Sequence, residues 1–199
     1  MHSKHSRNPA IKARPLTKDR LEKFAKDFTE VYNKAWASHE GEKQISVAKT
    51  LRMFRSMKPV INEHIAWFVY ENEKPVAMWI NIPDLNQWFK YLNGGFGLLE
   101  KLKFLWIKKF RENSKMVGIV FGVVPEWQRT GIEGFMIWEG TQHLREHTTF
   151  QETELQWIGD FNPKMMKIAK NLDAQVTRKL ATYRYLFDPN QSFERHPEI

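Results

Sequence analysis

The sequence predicts an α/β fold: a mixed central sheet flanked by helices, with a helical insertion before the fourth strand. Three observations lead there. Apolar segments of strand length alternate with segments of helical periodicity along most of the chain. One apolar run, Met116–Val124, passes through the turn Gln128–Gly131 straight into a helix-patterned segment of about 131–147. Finally, 42% of the 199 residues are hydrophobic, with 8 Trp and 14 Phe, which is enough to build one core and too much for a disordered chain.

Residues 1–9 read as a flexible tail. Ile11–Leu16 reads as a short strand, and Thr17 is placed to cap a helix. Leu21, Phe24, Ala25, Phe28, Val31, Tyr32 and Ala35 recur at helical spacing, so about 18–36 is an amphipathic helix. A second helix over about 46–57 carries Val47, Leu51 and Phe54 on one face and is closed by Pro59. His64–Glu71 and Pro75–Ile82 are apolar runs joined by Asn72-Glu73-Lys74, which predicts a hairpin. Residues 84–115 hold a dense set of aromatics and Leu, read as one or two helices broken at Gly94-Gly95. After the strand Met116–Val124 and its helix, Glu152–Ile158 alternates as a strand should. Asn162-Pro163 then opens a helix to about Leu172, proline being suited to the first helical position. Val176–Phe187 is expected to close the sheet, leaving 188–199 as a second tail and 10–187 as a single domain.

A strand that turns through Gln128-Arg129-Thr130-Gly131 into a helix presents unpaired N–H groups at the helix's positive end. Such a turn binds anions, phosphates above all. Gly131 would let the anion approach the backbone with no Cβ in the way. The wording of the stretch, Val123-Val124-Pro125-Glu126-Trp127-Gln128-Arg129-Thr130-Gly131-Ile132-Glu133-Gly134, resembles the acetyl-CoA-binding motif of the GNAT (Gcn5-related) N-acetyltransferases. Gln128 and Gly131 match its first and fourth positions; the sixth, Gly or Ala in the family, is Glu133, with Gly134 one place late. The opening Ile11-x-x-Arg14-Pro15-Leu16-Thr17-x-Asp19 also resembles the first strand and helix of that family.

The resemblance implies a GNAT-like acyl-CoA N-acyltransferase fold over about 10–187, with acetyl-CoA or another acyl-CoA as cosubstrate. It places the pantetheine on the strand edge Phe121–Val124, with an N–H near Val123 facing the thioester carbonyl. It places the pyrophosphate against Gln128, Arg129, Thr130, Gly131, Ile132 and Gly134, and a further cofactor contact at Asn162, which can also serve as a helix cap. In many members a Tyr seven residues after that Asn protonates the departing thiolate; here the position is Ala169. Tyr183 and Tyr185 fall on the expected last strand.

The general base is not marked by a motif. Glu154, on the strand that would flank the substrate, is the first candidate, and Asp84, at the mouth of the third strand, the second. The implied activity is acyl transfer from CoA to an amine by direct attack; the alternative is a GNAT-like CoA-binding or interaction domain without turnover. His143-Leu-Arg-Glu146-His147 fits an inverted zinc-peptidase pattern, so a third reading puts Zn²⁺ between the two histidines with Glu146 as base, although no third ligand follows. No resident metal is expected on the first two readings.

The formal net charge of +8 favours an anionic partner, but no basic-aromatic nucleic-acid signature accompanies it. The insertion 84–115 is the expected determinant of the acceptor. Its aromatics could line an acceptor pocket or a dimer face, and its Lys101, Lys103, Lys108, Lys109 and Arg111 could rest on an anionic membrane. The bland reading has these helices cover the sheet and turn a basic face outward. With no cysteine, no signal-peptide pattern at the N-terminus and no apolar run of spanning length, a cytoplasmic location is expected.

Overall fold

Strands buried on both faces read as near-continuous apolar runs, and the central pair of this sheet does so. In the computed structural model, which describes residues 5–36, 44–188 and 190–192, every residue of Ala66–Tyr70 and Pro75–Asn81 is buried. The chain divides into two units, Met1–Glu154 and Leu155–Ile199.

In the first unit β1 (Ile11–Pro15), α1 (Leu21–Ala35), α2 (Val47–Met57), β2 (Ala66–Glu71) and β3 (Lys74–Pro83) come first. The insertion comes next as α3 (Asn86–Phe89), a 3₁₀ turn (Lys90–Leu92) and α4 (Leu98–Phe110). Then come β4 (Lys115–Val123), α5 (Ile132–His147) and β5 (Glu152–Leu155). The sheet order is β1-β2-β3-β4-β5, and the pairs β1–β2, β2–β3 and β3–β4 are antiparallel. The N–H groups of Gln151 and Glu152 both donate to Ser114 O, at 2.7 and 3.1 Å, so β4 and β5 start side by side. The α5 crossover between them is the connection that parallel neighbours need. The sheet is therefore mixed, as expected.

Its two faces are covered by different helices. Phe24 on α1 packs against Phe68 with ring centres 5.4 Å apart, and Phe28 meets Phe54 of α2 at 5.5 Å. The hydroxyls of Thr29 and Thr50 share a buried 2.8 Å hydrogen bond that fixes the α1–α2 pair. On the other face α5 approaches so closely that a Cβ on Gly140 would lie 3.0 Å from the Trp79 ring. On the α1 face a Cβ on Gly122 of β4 would stand 2.8 Å from the Trp36 indole.

The insertion breaks where the glycines predict, with Asn93 (φ 50°) and Gly94 (φ 80°) left-handed. Its Lys101, Lys103, Lys109 and Arg111 are exposed, but its buried side chains do not join the core of the sheet. Trp88, Leu92, Phe104 and Ile107 form a small core of their own, with Val60, Leu85 and Phe89 packed against it. The part of 1–9 that is described is not loose: His5 is 5% exposed and bonds Thr130 O at 3.0 Å.

In the second unit α6 (Pro163–Asn171) is capped by Asn162, whose side chain accepts from Met165 N–H at 3.0 Å. Two expectations are corrected. The strand predicted over Glu152–Ile158 stops at Leu155, and Trp157 is exposed. The closing strand predicted over Val176–Phe187 is not formed: the segment has no regular structure, and Val176, Leu180, Tyr183, Tyr185 and Phe187 all lie exposed. Alternation makes a strand only where a ladder partner is available. Residues 1–4, 189 and 193–199 of the expected tails lie outside the described residues.

Candidate functional site

The Val124 N–H donates to Val76 O on β3 at 3.0 Å. Because successive residues of a strand direct their N–H groups to opposite sides, Val123 presents its N–H to the outer edge of β4. β5 ends after four residues while β4 runs on to Val123, so no described strand covers that edge at its C-terminal end. A bulge sharpens the divergence. Ile80 pairs with Val120 and Asn81 with Gly118, leaving Ile119 as an extra, half-exposed residue that bends β4. Gly118 was the only sequence signal for it, a glycine inside a strand pattern.

The chain leaves β4 by a 3₁₀ turn, Pro125–Trp127, and two left-handed residues, Arg129 (φ 62°) and Gly131 (φ 84°), aim it into α5. Gly131 is the N-cap, so the N–H groups of Ile132, Glu133 and Gly134 in the first turn have no intrahelical acceptor. The Gln128 side chain folds back and donates to Val123 O at 3.2 Å, tying the turn to the strand edge. Thr130 donates from its hydroxyl to Trp127 O at 2.7 Å. The Ile132 side chain is fully buried, so only its backbone is offered; Gly134 is exposed, with open space where a Cβ would stand. Glu133 is half-buried, and one of its oxygens, Oε2, is buried with no hydrogen-bond partner. Val123, Gln128, Arg129, Thr130, Gly131, Ile132 and Gly134 thus assemble at one end of β4, while Val124 spends its N–H on β3. Asn162 stands in the second unit as the cap of α6.

The two carboxylate candidates meet at the other end of β4. Glu154 forms an ion pair with Lys115, and the pairing raises the Lys115 pKa, with Asp84 and Glu152 adding to the effect. The Asp84 side chain accepts from Asn86 N–H at 3.1 Å, where it braces the start of α3. A cavity of about 750 Å³ lies at this end of the sheet; Pro83, Asn113, Trp88, Lys108, Arg111, His64 and His147 are among its walls. The Asn113 side chain donates to the Asp84 backbone carbonyl at 2.9 Å, which ties the cavity wall to the main chain beside the second candidate.

His143 and His147 are brought together with a histidine that the sequence did not single out, His64. His64 Nδ1 and His143 Nε2 share a hydrogen bond of 2.8 Å, and the His143 and His147 rings lie 4.1 Å apart. Burial, with His147 and His64 nearby, lowers the His143 pKa against an opposing pull from Glu146. Among the described residues no three His, Asp or Glu side chains are arranged to hold a metal ion, so the zinc reading gains no ligand set.

No protein-family model matches the chain. A bacterial ceramide synthase from Caulobacter vibrioides is 23% identical over 162 residues, 80% of this chain; the chain spans 42% of that relative's length. Among solved structures, an aminoglycoside acetyltransferase from an uncultured soil metagenomic sample aligns with a TM-score of 0.57 and 13% identity, over 91% of this chain and 99% of its own. The aminoglycoside N-acetyltransferase AAC(6')-Iy, in complex with CoA, aligns at 0.55 and 12%, over 90% and 97%. These likenesses establish the fold: it is that of the acetyltransferases the motif resembles.

Proposed function

We propose that the chain is an acyl-CoA-dependent N-acyltransferase. The observation that carries this reading is the uncovered edge of β4 running through a left-handed turn into the glycine-capped start of α5. The pantetheine pairs with that edge, and the Val123 N–H polarises the thioester carbonyl. The first-turn N–H groups of α5, with Arg129, Thr130 and Gly131, hold the pyrophosphate.

The acceptor amine attacks the thioester carbon directly, a C–N bond forms, and the C–S bond breaks to release the CoA thiolate. The proton lost from nitrogen leaves through solvent, because the two candidate bases, Glu154 and Asp84, lie at the opposite end of β4, beyond hydrogen-bond reach of an amine at Val123. With Ala169 where a Tyr would stand, the thiolate takes its proton from solvent. The acceptor is a lipidic amine and the acyl chain longer than acetyl. The Caulobacter relative supports this, since making ceramide means putting an acyl chain on a lipid amine.

Titration of acetyl-CoA and a long-chain acyl-CoA by calorimetry, with Gly131→Trp beside the wild type, tests the cofactor half. Micromolar binding that the variant abolishes supports it; no binding at millimolar cofactor ends it. Thiol release in the presence of long-chain amines tests turnover, and Glu154→Gln and Asp84→Asn should leave its rate unchanged if the proton goes to solvent. One observation favours a second reading, a CoA-binding domain without turnover: the Glu133 carboxylate in the anion turn. Saturable cofactor binding with no thiol release to any amine would select it.

A further inference from the structure

We infer that α4 is a docking helix for an anionic lipid bilayer. The helix is apolar on two opposite faces. Phe104 and Ile107 are buried against the small core of the insertion. Leu98, Leu99, Leu102, Leu105, Trp106 and Phe110 are 52% to 77% exposed and cover roughly 140° of the circumference at about 100° per residue. Phe96 (56% exposed) extends the stripe beyond the first turn. A monomer in water does not leave a stripe of this size uncovered without an occupant for it.

Charge decides which occupant. Lys101 and Lys103 flank the stripe, and Lys109 and Arg111 stand at its C-terminal end, all exposed. Lys101 lies over the Phe96 ring, Lys109 over Phe110 and Arg111 over Tyr91, at 5.9, 5.3 and 5.5 Å. Such side chains keep an apolar stem in the interface and a charge at headgroup level. Lys108 is not among them, because its ammonium is held by Pro59 O. A second copy meeting this face two-fold would set these cations against their own kind. Phosphate-bearing headgroups neutralise them. At thirteen residues the helix is too short to span a bilayer and lies in its plane.

Lys109, Phe110 and Arg111 also line the 750 Å³ cavity, so the membrane-facing helix ends at the cavity wall. A lipid amine would enter there, a consequence that rests on the N-acyltransferase reading; the docking itself does not.

The test is co-sedimentation of the full chain with vesicles of phosphatidylcholine alone or mixed with phosphatidylglycerol. Binding to the mixed vesicles only, weakened by salt, is expected. Each exposed cation contributes about fivefold in affinity, so Lys101→Glu with Lys103→Glu should cost about thirtyfold or more. Leu102→Glu with Trp106→Glu should abolish binding while leaving the circular dichroism spectrum and acyl-CoA titration unchanged. Absence of binding to the anionic vesicles, or equal binding by the variants, overturns the proposal. So does self-association in sedimentation velocity that Leu102→Glu removes in a protein that ignores lipid.

Discussion

Glu133 occupies the place where the resembled motif carries Gly or Ala, and two effects compete there. A carboxylate in the first turn of α5 gains about 0.3–1 kcal/mol from the helix dipole. A buried carboxylate oxygen with no donor costs about 1–3 kcal/mol. The penalty is the larger, so Glu133→Ala should raise stability by about 1 kcal/mol in chemical denaturation. It should also tighten acyl-CoA binding about tenfold by removing a negative charge beside the phosphate turn. Weaker binding by this variant in calorimetry would show that Glu133 assists the ligand instead of opposing it. Gly131 beside it tolerates no such exchange, because its φ of 84° is a conformation that side chains strain.

The elements that sequence patterns revealed are those whose signals are local. The α1 stripe, the hairpin and the Asn162 cap arise from helical spacing, alternation and side-chain reach. Asn162→Ala should therefore cost about 1 kcal/mol, read as fraying of α6 in hydrogen exchange, whether or not Asn162 touches the cofactor. Non-local features were not legible. Val176–Phe187 was expected to close the sheet yet finds no ladder, since apolar residues in a segment say nothing about a vacant sheet edge. The cluster of His64 with His143 and His147 depends on the 3₁₀ turn Glu63–Ile65, just before β2, packing on α5, which no spacing records. The outward apolar face of α4 was hidden in the same way: a helix with apolar residues on two opposite faces gives no hint of which face is covered. Packing of α5 was only half visible, in Gly140. There a Cβ would already touch the Trp79 ring at 3.0 Å, so Gly140→Val should cost about 2 kcal/mol in thermal or chemical unfolding. A variant as stable as the wild type would mean that α5 can slide off its seat.

Across the whole molecule the two ends of β4 carry different chemistry. The anion turn comes after Val123, whereas Lys115, Glu154, Asp84 and the large cavity gather at the strand's beginning, about 26 Å away at some 3.3 Å per residue. An acceptor entering at the cavity end would have to run along the strand, past the bulge at Ile119, to reach a thioester held at Val123. The cavity end also holds the molecule's most evident pH sensor. The folded protein holds the His143 pKa below its ordinary 6.5, first by burial, then through His147 and His64, with Glu146 pulling the other way. The unfolded chain therefore takes up the proton more readily than the folded one. Above pH 6.5 neither state holds it and stability is unaffected; as pH falls below that value the unfolded state gains protons first, and stability is lost until the folded-state pKa is passed. Urea denaturation across pH 7.5 to 5 should show this decline, and His143→Gln should flatten it while leaving stability at the upper end nearly unchanged. An equally steep decline in the variant would show that His143 is not the source of the acid sensitivity.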